Sequence, residues 1–239
     1  MHGSVGPYSK HCPMPLLLSL ETSTRVCSVA LHQRGTLLAC YELLTEKSHS
    51  GMLTTLVQQV VQHAGFSLNQ LDAIAVAKGP GSYTGLRIGV STAKGLCYAL
   101  DKPLLAINTL EAMALQLCDF VPTGALLCPL LDARRMEVYC ALFDTKLNIV
   151  ELTQAKIIDE TAFAHYLAER PVFFFGEGAA KCQPLLNRHP NAYFPATSIY
   201  PSARTLGVLA TRAYDNARFE DVVTFEPFYL KEFVSIKKN

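Results

Sequence analysis

Short apolar runs and longer helical stripes alternate along the chain, and their order predicts the fold. The first three runs, Pro15–Leu20, Val26–His32 and Thr36–Leu43, are joined by short polar links, which predicts an antiparallel meander of three strands. A stripe of apolar residues at helical spacing then predicts a helix over Gly51–Ala64. The rest of this half predicts a strand, a helix, a strand and a helix, at Asp72–Ala77, Thr84–Leu100, Leu104–Ile107 and Leu110–Cys118.

The second half repeats this order in a less regular form. Three further strands are predicted at Ala125–Leu131, Glu137–Phe143 and Ile149–Ile157. Asp159 is expected to cap a helix that runs to Glu169, and Ser202 is expected to cap a long helix over Ala203–Phe219. Between these helices a strand, a helix and a short strand are predicted at Val172–Phe175, Gly178–Leu186 and Tyr193–Ile199.

A three-strand meander followed by alternating helices and strands is the order of the ribonuclease-H-like unit, and here it occurs twice. Duplication of this unit gives the actin-like ATPase architecture of sugar kinases, heat-shock ATPases and actin, so the predicted class is α/β with two ribonuclease-H-like lobes. The lobes are placed at residues 14–108 and, in a degenerate form, at residues 109–201. The helix and tail at residues 202–239 are expected to pack back on the first lobe, and residues 1–13 to be a disordered extension or an expression remnant.

The glycine-rich stretch Lys78–Leu100 is the most unusual part of the sequence. Gly79–Gly81 ends the preceding strand and permits a tight turn. Small residues then recur at every fourth position of the predicted helix, namely Gly85, Gly89, Ala93 and Cys97. Because a glycine inside a helix costs about 0.8–1.0 kcal/mol relative to alanine, another segment is expected to pack very close to this face, either in the same domain or in a second protein. The loop ahead of the helix can also bind an anion, although it lacks the GxxxxGK[ST] pattern of a phosphate loop.

The outer face of the predicted helix Gly51–Ala64 carries no formal charge. Its positions outside the apolar stripe are Thr54, Thr55, Gln58, Gln59, Gln62 and His63. A helix that faces solvent usually carries Lys, Glu or Arg, whereas the core of a protein interface is depleted in charged residues. This face is therefore either an uncharged solvated surface or, with the neighbouring glycine-rich helix, a docking surface for a partner.

Composition excludes several classes of function. The formal net charge is +1, which provides no global attraction to nucleic acid or membrane. The 8 cysteines contain no CxxC pair and most lie in apolar runs, so they are predicted to be reduced core residues of a cytoplasmic protein. No apolar run reaches the length of about 18 residues that a membrane span needs. No HxxxH, HExxH or GxSxG motif is present, so neither a helix-borne metal site nor a protease site is predicted.

Acidic residues follow the first strand of each predicted lobe. Glu21, with the hydroxyls of Ser23 and Thr24, stands at the end of the first strand, and Asp132 stands at the matching position of the second lobe. The two carboxylates can form a pair that supports magnesium and binds nucleotide phosphate, or they can belong to ordinary polar turns. The adjacent pair Arg134–Arg135 can likewise contact phosphate or form a solvated turn.

Four segments of the chain are typical of one known family. They are LSLETSTRVCSVAL, KSHSGMLTTLVQQVV, KGPGSYTGLRIGVSTAKGL and LLDARRMEVYCALF. These segments resemble the TsaB (YeaZ) family of bacterial tRNA threonylcarbamoyladenosine biosynthesis proteins, and GPGSYTGLRIG is highly specific to it. The resemblance runs from Leu16 to the end, includes PFYL at Pro227–Leu230, and is least diagnostic from Ile149 to Tyr200.

The resemblance implies the two-lobed actin-like architecture and a role in adding threonylcarbamoyl to the adenosine beside the anticodon of tRNAs that read codons starting with A. It also implies that a related protein, TsaD, performs the transfer and holds a metal on a HxxxH helix. This chain is then its non-catalytic companion, a scaffold or activator. The matching helix here, Leu110–Cys118, has no histidine, so neither a catalytic residue nor a metal ligand is expected.

The resemblance further places the docking surface on Gly51–Ala64 and Thr84–Leu100. The expected partner-binding residues are Met52, Thr55, Gln58, Gln59, Gln62, Gly85, Arg87, Gly89, Ser91, Ala93, Lys94 and Cys97. Expected partners are TsaD, the small ATPase TsaE, a second copy of this chain when TsaD is absent, and tRNA through the complex. ATP or ADP with magnesium at a subunit junction is the one cofactor considered. The alternative function is an ATP-dependent transferase or phosphotransferase that uses Glu21 and Asp132, and a metallopeptidase is a weaker third.

Overall fold

The computed structural model describes residues 14–45 and 49–230, which contain two five-stranded sheets and six α-helices. The strands of the first sheet are β1 (Leu16–Glu21), β2 (Cys27–Gln33), β3 (Thr36–Leu43), β4 (Ala73–Gly79) and β5 (Leu104–Asn108). Those of the second sheet are β6 (Leu126–Asp132), β7 (Glu137–Asp144), β8 (Ile149–Ile157), β9 (Val172–Phe175) and β10 (Ala192–Tyr193). The helices are α1 (His49–His63), α2 (Tyr83–Leu100), α3 (Thr109–Ala114), α4 (Ala164–Glu169), α5 (Ala179–Leu186) and α6 (Ala203–Asp215).

Both sheets have the same strand order. In the first sheet the order is β3-β2-β1-β4-β5, with β1 antiparallel to β2 and parallel to β4. In the second sheet the order is β8-β7-β6-β9-β10, with β6 antiparallel to β7 and parallel to β9. A meander of three strands extended by parallel strands is therefore present twice, which confirms the predicted α/β class with two ribonuclease-H-like units.

The chain divides into two compact units that are not continuous in sequence. Among the described residues, the first unit contains 14–45, 49–78, 84–107 and 202–227, and the second contains 79–83, 108–201 and 228–230. Helix α6 belongs to the first unit and contacts β1, β2 and β3. Helix α3 belongs to the second unit, where its apolar side chains join a core with β6 and β7. Each sheet is thus covered in part by a helix from the other half of the chain.

The two faces of the first sheet are buried for different reasons. One face packs against the apolar stripes of α1 and α2, which share a single core with β1, β2 and β4. The other face packs against α6, where His32 lies directly against Gly207 and Nε2 of the His32 ring lies 2.9 Å from the carbonyl of Arg204. Because β1 is covered on both faces, all of its residues are buried.

Two predicted helices end earlier in the structure than their apolar patterns indicate. The helix predicted over Leu110–Cys118 ends at Ala114, because the amides of Gln116 and Leu117 donate to carbonyls three rather than four residues back. The helix predicted to reach Phe219 ends at Asp215, because Ala217 adopts a φ of 52° and the chain closes in a Schellman-type turn. Its predicted cap is confirmed, since the Ser202 hydroxyl accepts a hydrogen bond from the amide of Arg204.

Two other predicted elements are shorter because local side chains redirect the backbone. Asp159 accepts hydrogen bonds from the amide and hydroxyl of Thr161 and so closes a turn, while helix α4 begins after Phe163, whose φ is 63°. The strand predicted over Tyr193–Ile199 is reduced to β10, which ends at Tyr193. Pro195 follows closely and has no amide hydrogen to continue a strand ladder.

Candidate functional site

The small-residue stripe of α2 lies in the interior of its own unit. Gly85, Gly89, Ala93 and Cys97 are all buried. The Thr22 hydroxyl donates a 2.8 Å hydrogen bond to the carbonyl of Gly85, and a Cβ added at Gly89 would lie 2.2 Å from the same hydroxyl oxygen. The close neighbour that the glycines accommodate is therefore the turn after β1 of the same chain. Placing these four residues on a partner-binding surface was wrong, and the alternative of packing within the domain is correct.

The opposite face of α2 is exposed. Its exposed residues are Thr84, Arg87, Ser91, Gly95, Tyr98 and Ala99. Arg87 is the one formally charged residue among them, and Tyr98 is 88% exposed. The predicted partner residue Lys94 is half-buried, and its ammonium donates to the carbonyls of Val223 and Phe225 at 3.0 and 3.1 Å. Its charge is thus directed to the C-terminal segment of the same unit.

The outer face of α1 is exposed, as the sequence predicts. Met52, 37% exposed, begins a row that continues with Thr54, Thr55, Gln58, Gln59 and Gln62. His63 ends the row, and its Nδ1 lies 2.6 Å from the hydroxyl of Tyr41. From residue 51 to 64 no Lys, Arg, Asp or Glu interrupts this face. Because α1 and α2 share one core on one side of the sheet, their outer faces both point away from that side.

The area of this helix pair is close to what a specific interface needs. With 15 and 18 residues, α1 and α2 are about 22 and 27 Å long. Two helices side by side are about 20 Å wide, so their outer faces offer about 500 Å². Covering that area buries about 1,000 Å² over both partners, which is the lower bound for a specific interface.

The turn after β1 offers little to a metal ion or a phosphate. Glu21 is fully buried, and its Oε1 accepts a 2.6 Å hydrogen bond from the amide of Ser23. Burial raises the pKa of the Glu21 carboxyl from 4.5 to about 7, although the hydrogen bonds it accepts lower it. Ser23 and Thr24 are buried as well, and the Thr22 hydroxyl is engaged in its hydrogen bond to the carbonyl of Gly85. A carboxyl without exposure that is half protonated at neutral pH is a poor magnesium ligand.

The second carboxylate is already paired with a cation. Asp132 forms an ion pair with Lys181 of α5, and its Oδ1 accepts a 2.8 Å hydrogen bond from the amide of Arg134. Partial burial raises the pKa of Asp132, but the hydrogen bonds from Lys181 and Arg134 outweigh it and hold this pKa below the ordinary value. Lys181 thus supplies the positive charge that a magnesium ion would bring. Glu21 and Asp132, which belong to different units, are therefore each engaged in local contacts that do not fit magnesium–nucleotide binding.

Two features important to the site are absent from the sequence prediction. Tyr98 follows Ser91 and Arg87 at helical spacing, so the outer face of α2 could have been read from the periodicity. Lys181 had no such signal, because it lies 49 residues from its partner Asp132. Within residues 14–45 and 49–230, no group of three or more His, Cys, Asp or Glu side chains is arranged to hold a metal, and no helix could cross a membrane.

Comparison with known proteins shows which families this chain resembles. Residues 43–166 match the family model TsaD, tRNA N6-adenosine threonylcarbamoyltransferase. The TsaB tRNA threonylcarbamoyladenosine biosynthesis protein of Bacillus subtilis is 35% identical over 67% of this chain and 70% of its own length. The TsaB of Escherichia coli is 30% identical over 93% of this chain and 97% of its own length. A crystal structure of a Pseudomonas aeruginosa protein described as similar to peptidase YeaZ has a TM-score of 0.79 at 29% identity, over 91% of this chain and 100% of that one.

Proposed function

Because the chain belongs to the TsaB (YeaZ) family of tRNA threonylcarbamoyladenosine biosynthesis proteins, we propose that it acts there as a non-catalytic subunit that docks on TsaD. The catalytic partner transfers threonylcarbamoyl to the adenosine beside the anticodon of tRNAs that read codons starting with A. This chain acts as its scaffold or activator, together with the small ATPase TsaE.

The observation that carries this proposal is the pair of exposed helix faces on the first unit. The outer face of α1 has no formal charge, and the exposed residues of α2 include one, Arg87. A fully solvated face of this size normally carries several charges for solubility, whereas interface cores exclude them. The partner is a protein of related fold, because more than half of this chain matches the sequence pattern of the transferase family itself.

The non-catalytic role is supported by the side chains at the positions where chemistry was considered. Helix α3 carries no histidine, unlike the metal-binding helix that the resemblance describes for TsaD. The carboxylates of Glu21 and Asp132 are held by a backbone amide and by a lysine, respectively. We therefore assign these two residues no nucleotide role, and isothermal titration with magnesium–ATP tests this: micromolar binding that is lost in Glu21→Ala would favour an ATP-dependent transferase instead.

The docking proposal is tested by placing a charge at the centre of α1. Thr55→Glu introduces a carboxylate on the exposed face, where burial against a partner leaves it unpaired. We expect at least a tenfold weaker association with TsaD and a matching loss of threonylcarbamoylation when this chain, TsaD and TsaE are combined and each is omitted in turn. Thr36→Glu, the same change at an exposed position of β3, is the matched control and should leave both measurements unchanged. Equal association by the two variants would refute docking through α1.

The same surface is expected to associate with a second copy when TsaD is absent, since exposed uncharged helix faces tend to be covered. Light scattering across a concentration series should show wild-type dimers, and Thr55→Glu should shift the protein to the monomer. Adding TsaD to the wild-type protein should dissociate the dimer, because both partners compete for one face. A dimer that persists in the TsaD complex would place self-association elsewhere.

A further inference from the structure

The link between β6 and β7 presents two arginines on a tightly held turn. Arg134 and Arg135 both have positive φ angles, 68° and 46°. The turn is closed by hydrogen bonds from the Ala133 amide to the Glu137 carbonyl and from the Glu137 amide to the Arg134 carbonyl, at 3.1 and 3.2 Å. Arg134 and Arg135 are both exposed.

Contacts from outside the turn fix the same backbone. The ammonium of Lys181 donates to the carbonyls of Arg135 and Glu137 at 2.8 and 2.7 Å and also pairs with Asp132. The Asp132 carboxylate in turn accepts the amide of Arg134. The turn is therefore held rigidly by α5 and by its own strand, while the two guanidinium groups are not used to hold it.

The choice of residues at this turn is costly for stability. Non-glycine residues with positive φ are uncommon, and asparagine and glycine adopt this region most easily. The tight link between β2 and β3 follows that rule in part, because Arg34 with a φ of 50° is followed by Gly35 with a φ of 77°. At the β6–β7 turn, both positions carry arginine. The backbone therefore gives no reason for arginine at either position.

The charge of the turn is not neutralised locally. The carboxylate that precedes the turn, Asp132, is paired with Lys181. Within the part of the chain that the structure describes, neither guanidinium of Arg134 or Arg135 has an ion-pair partner. Two adjacent guanidinium groups on a rigid tip, each able to donate in a planar fork, match the geometry of phosphate oxygens.

We propose that the β6–β7 turn binds the phosphodiester backbone of RNA through the guanidinium groups of Arg134 and Arg135. The choice of RNA as the polymer rests on the proposed function in tRNA modification. A magnesium–nucleotide is a poorer ligand for this turn, because Asp132 is paired with Lys181 and the Arg134 amide is already bonded. Binding is electrostatic and independent of base sequence, and it orients the RNA rather than selecting it.

The test is the salt dependence of RNA binding by the full chain, measured by fluorescence anisotropy with an unmodified tRNA transcript, alone and with TsaD. The variant Arg134→Asn with Arg135→Asn removes both charges and suits the positive φ angles, so its fold should be retained. Two phosphate contacts contribute about 1.4–1.8 to the slope of log affinity against log salt concentration. The wild-type advantage over this variant should therefore shrink about 7- to 12-fold between 50 and 200 mM salt.

Matched variants separate this contact from general charge. Arg134→Lys with Arg135→Lys preserves the charge and should keep the salt slope of the wild-type protein. Lys146→Asn removes one exposed cation at the β7–β8 turn and should leave affinity unchanged, whereas Arg134→Asn alone should weaken it. Association with TsaD is measured in parallel and should be the same for all variants, so a failure of docking is distinguished from a failure of RNA contact.

The following outcomes would overturn the proposal. The first is an equal salt slope for the wild-type protein and the variant with both arginines replaced by asparagine. The second is that the wild-type chain shows no salt-dependent RNA binding, alone or with TsaD. The third is that the double asparagine variant loses magnesium–ATP binding while its RNA binding is unchanged. Displacement of the RNA by polyglutamate at equal charge concentration would likewise assign the turn to an acidic protein.

Discussion

Replacing Glu21 with glutamine is expected to change how the stability of the protein depends on pH. Glu21 is fully buried at the end of β1, and its Oε2 has no hydrogen-bond partner among the described residues. Ionising this carboxyl therefore places a charge in the interior, and the contacts from Ser23 and Thr22 only partly offset the cost. Glutamine keeps the shape and the carbonyl acceptor for the hydrogen bond from Ser23 and cannot ionise.

The magnitude follows from the shift in pKa. The pKa of Glu21 is raised from 4.5 to about 7 in the folded protein, so the folded state binds the proton more tightly than the unfolded state. The resulting stabilisation is complete below pH 4.5 and is lost as the pH rises through 7. With 1.36 kcal/mol for each pKa unit, this carboxyl should lower the free energy of unfolding by about 2–3 kcal/mol between pH 5 and pH 8.

Urea unfolding followed by circular dichroism at several pH values between 5 and 8 measures this effect. The difference in free energy of unfolding between Glu21→Gln and the wild-type protein should move by about 2–3 kcal/mol in favour of the variant from pH 5 to pH 8. Glu160→Gln, which changes an exposed carboxyl paired with Arg188, is the control and should shift by less than about 0.5 kcal/mol. A difference that stays constant across this range for Glu21→Gln would show that the buried carboxyl does not titrate, and the reasoning would fail.

Three further predictions concern the packing of the first unit. Gly89→Ala should destabilise the protein by about 1–3 kcal/mol, because its Cβ would lie 2.2 Å from Thr22 Oγ1. Gly95→Ala on the same helix meets nothing within 4 Å and should stabilise the protein by about 0.8–1.0 kcal/mol. Thermal unfolding of both variants checks this, and equal shifts in their unfolding temperatures would contradict it. Ser202→Ala should cost about 1 kcal/mol in urea unfolding, because it removes the cap of α6; an unchanged midpoint would mean that the cap contributes nothing. Burial lowers the pKa of His32 below 6.5. As the pH falls below 6.5, the wild-type protein should therefore lose stability more steeply than His32→Gln. Parallel acid unfolding curves for the two proteins would argue against a neutral buried ring.

The strand order was accessible from the sequence because each strand carries its own signal. The apolar run of β3 predicts its bounds, Thr36–Leu43, and that of β8 predicts Ile149–Ile157, both without error. The ends of α3 and α6 were missed, since they depend on backbone geometry that the apolar patterns do not encode. Gln116 donates its side-chain amide to the carbonyl of Tyr200, and Ala217 turns the chain with a positive φ that alanine rarely adopts.

The candidate surface was predicted in part for a similar reason. Charge is visible in a sequence, so the neutral outer face of α1 was identified correctly from residues such as Gln58 and Gln62. Small side chains indicate a close neighbour without saying which one, and at Gly89 the neighbour is Thr22, 67 positions away in the printed sequence. Periodicity separates the two faces of α2, but a three-dimensional structure was needed to show which face is free.

Helices α3 and α6 each pack on the sheet that the other half of the chain encodes, which has a consequence for how the gene can be divided. A fragment that ends near residue 108 would encode all five strands of the first sheet yet lack the helix that covers β1, β2 and β3. The complementary fragment would carry that helix without its sheet. The first half of the coding sequence therefore specifies a product that lacks part of its own unit, and the second half specifies one whose helix α6 has no sheet to cover.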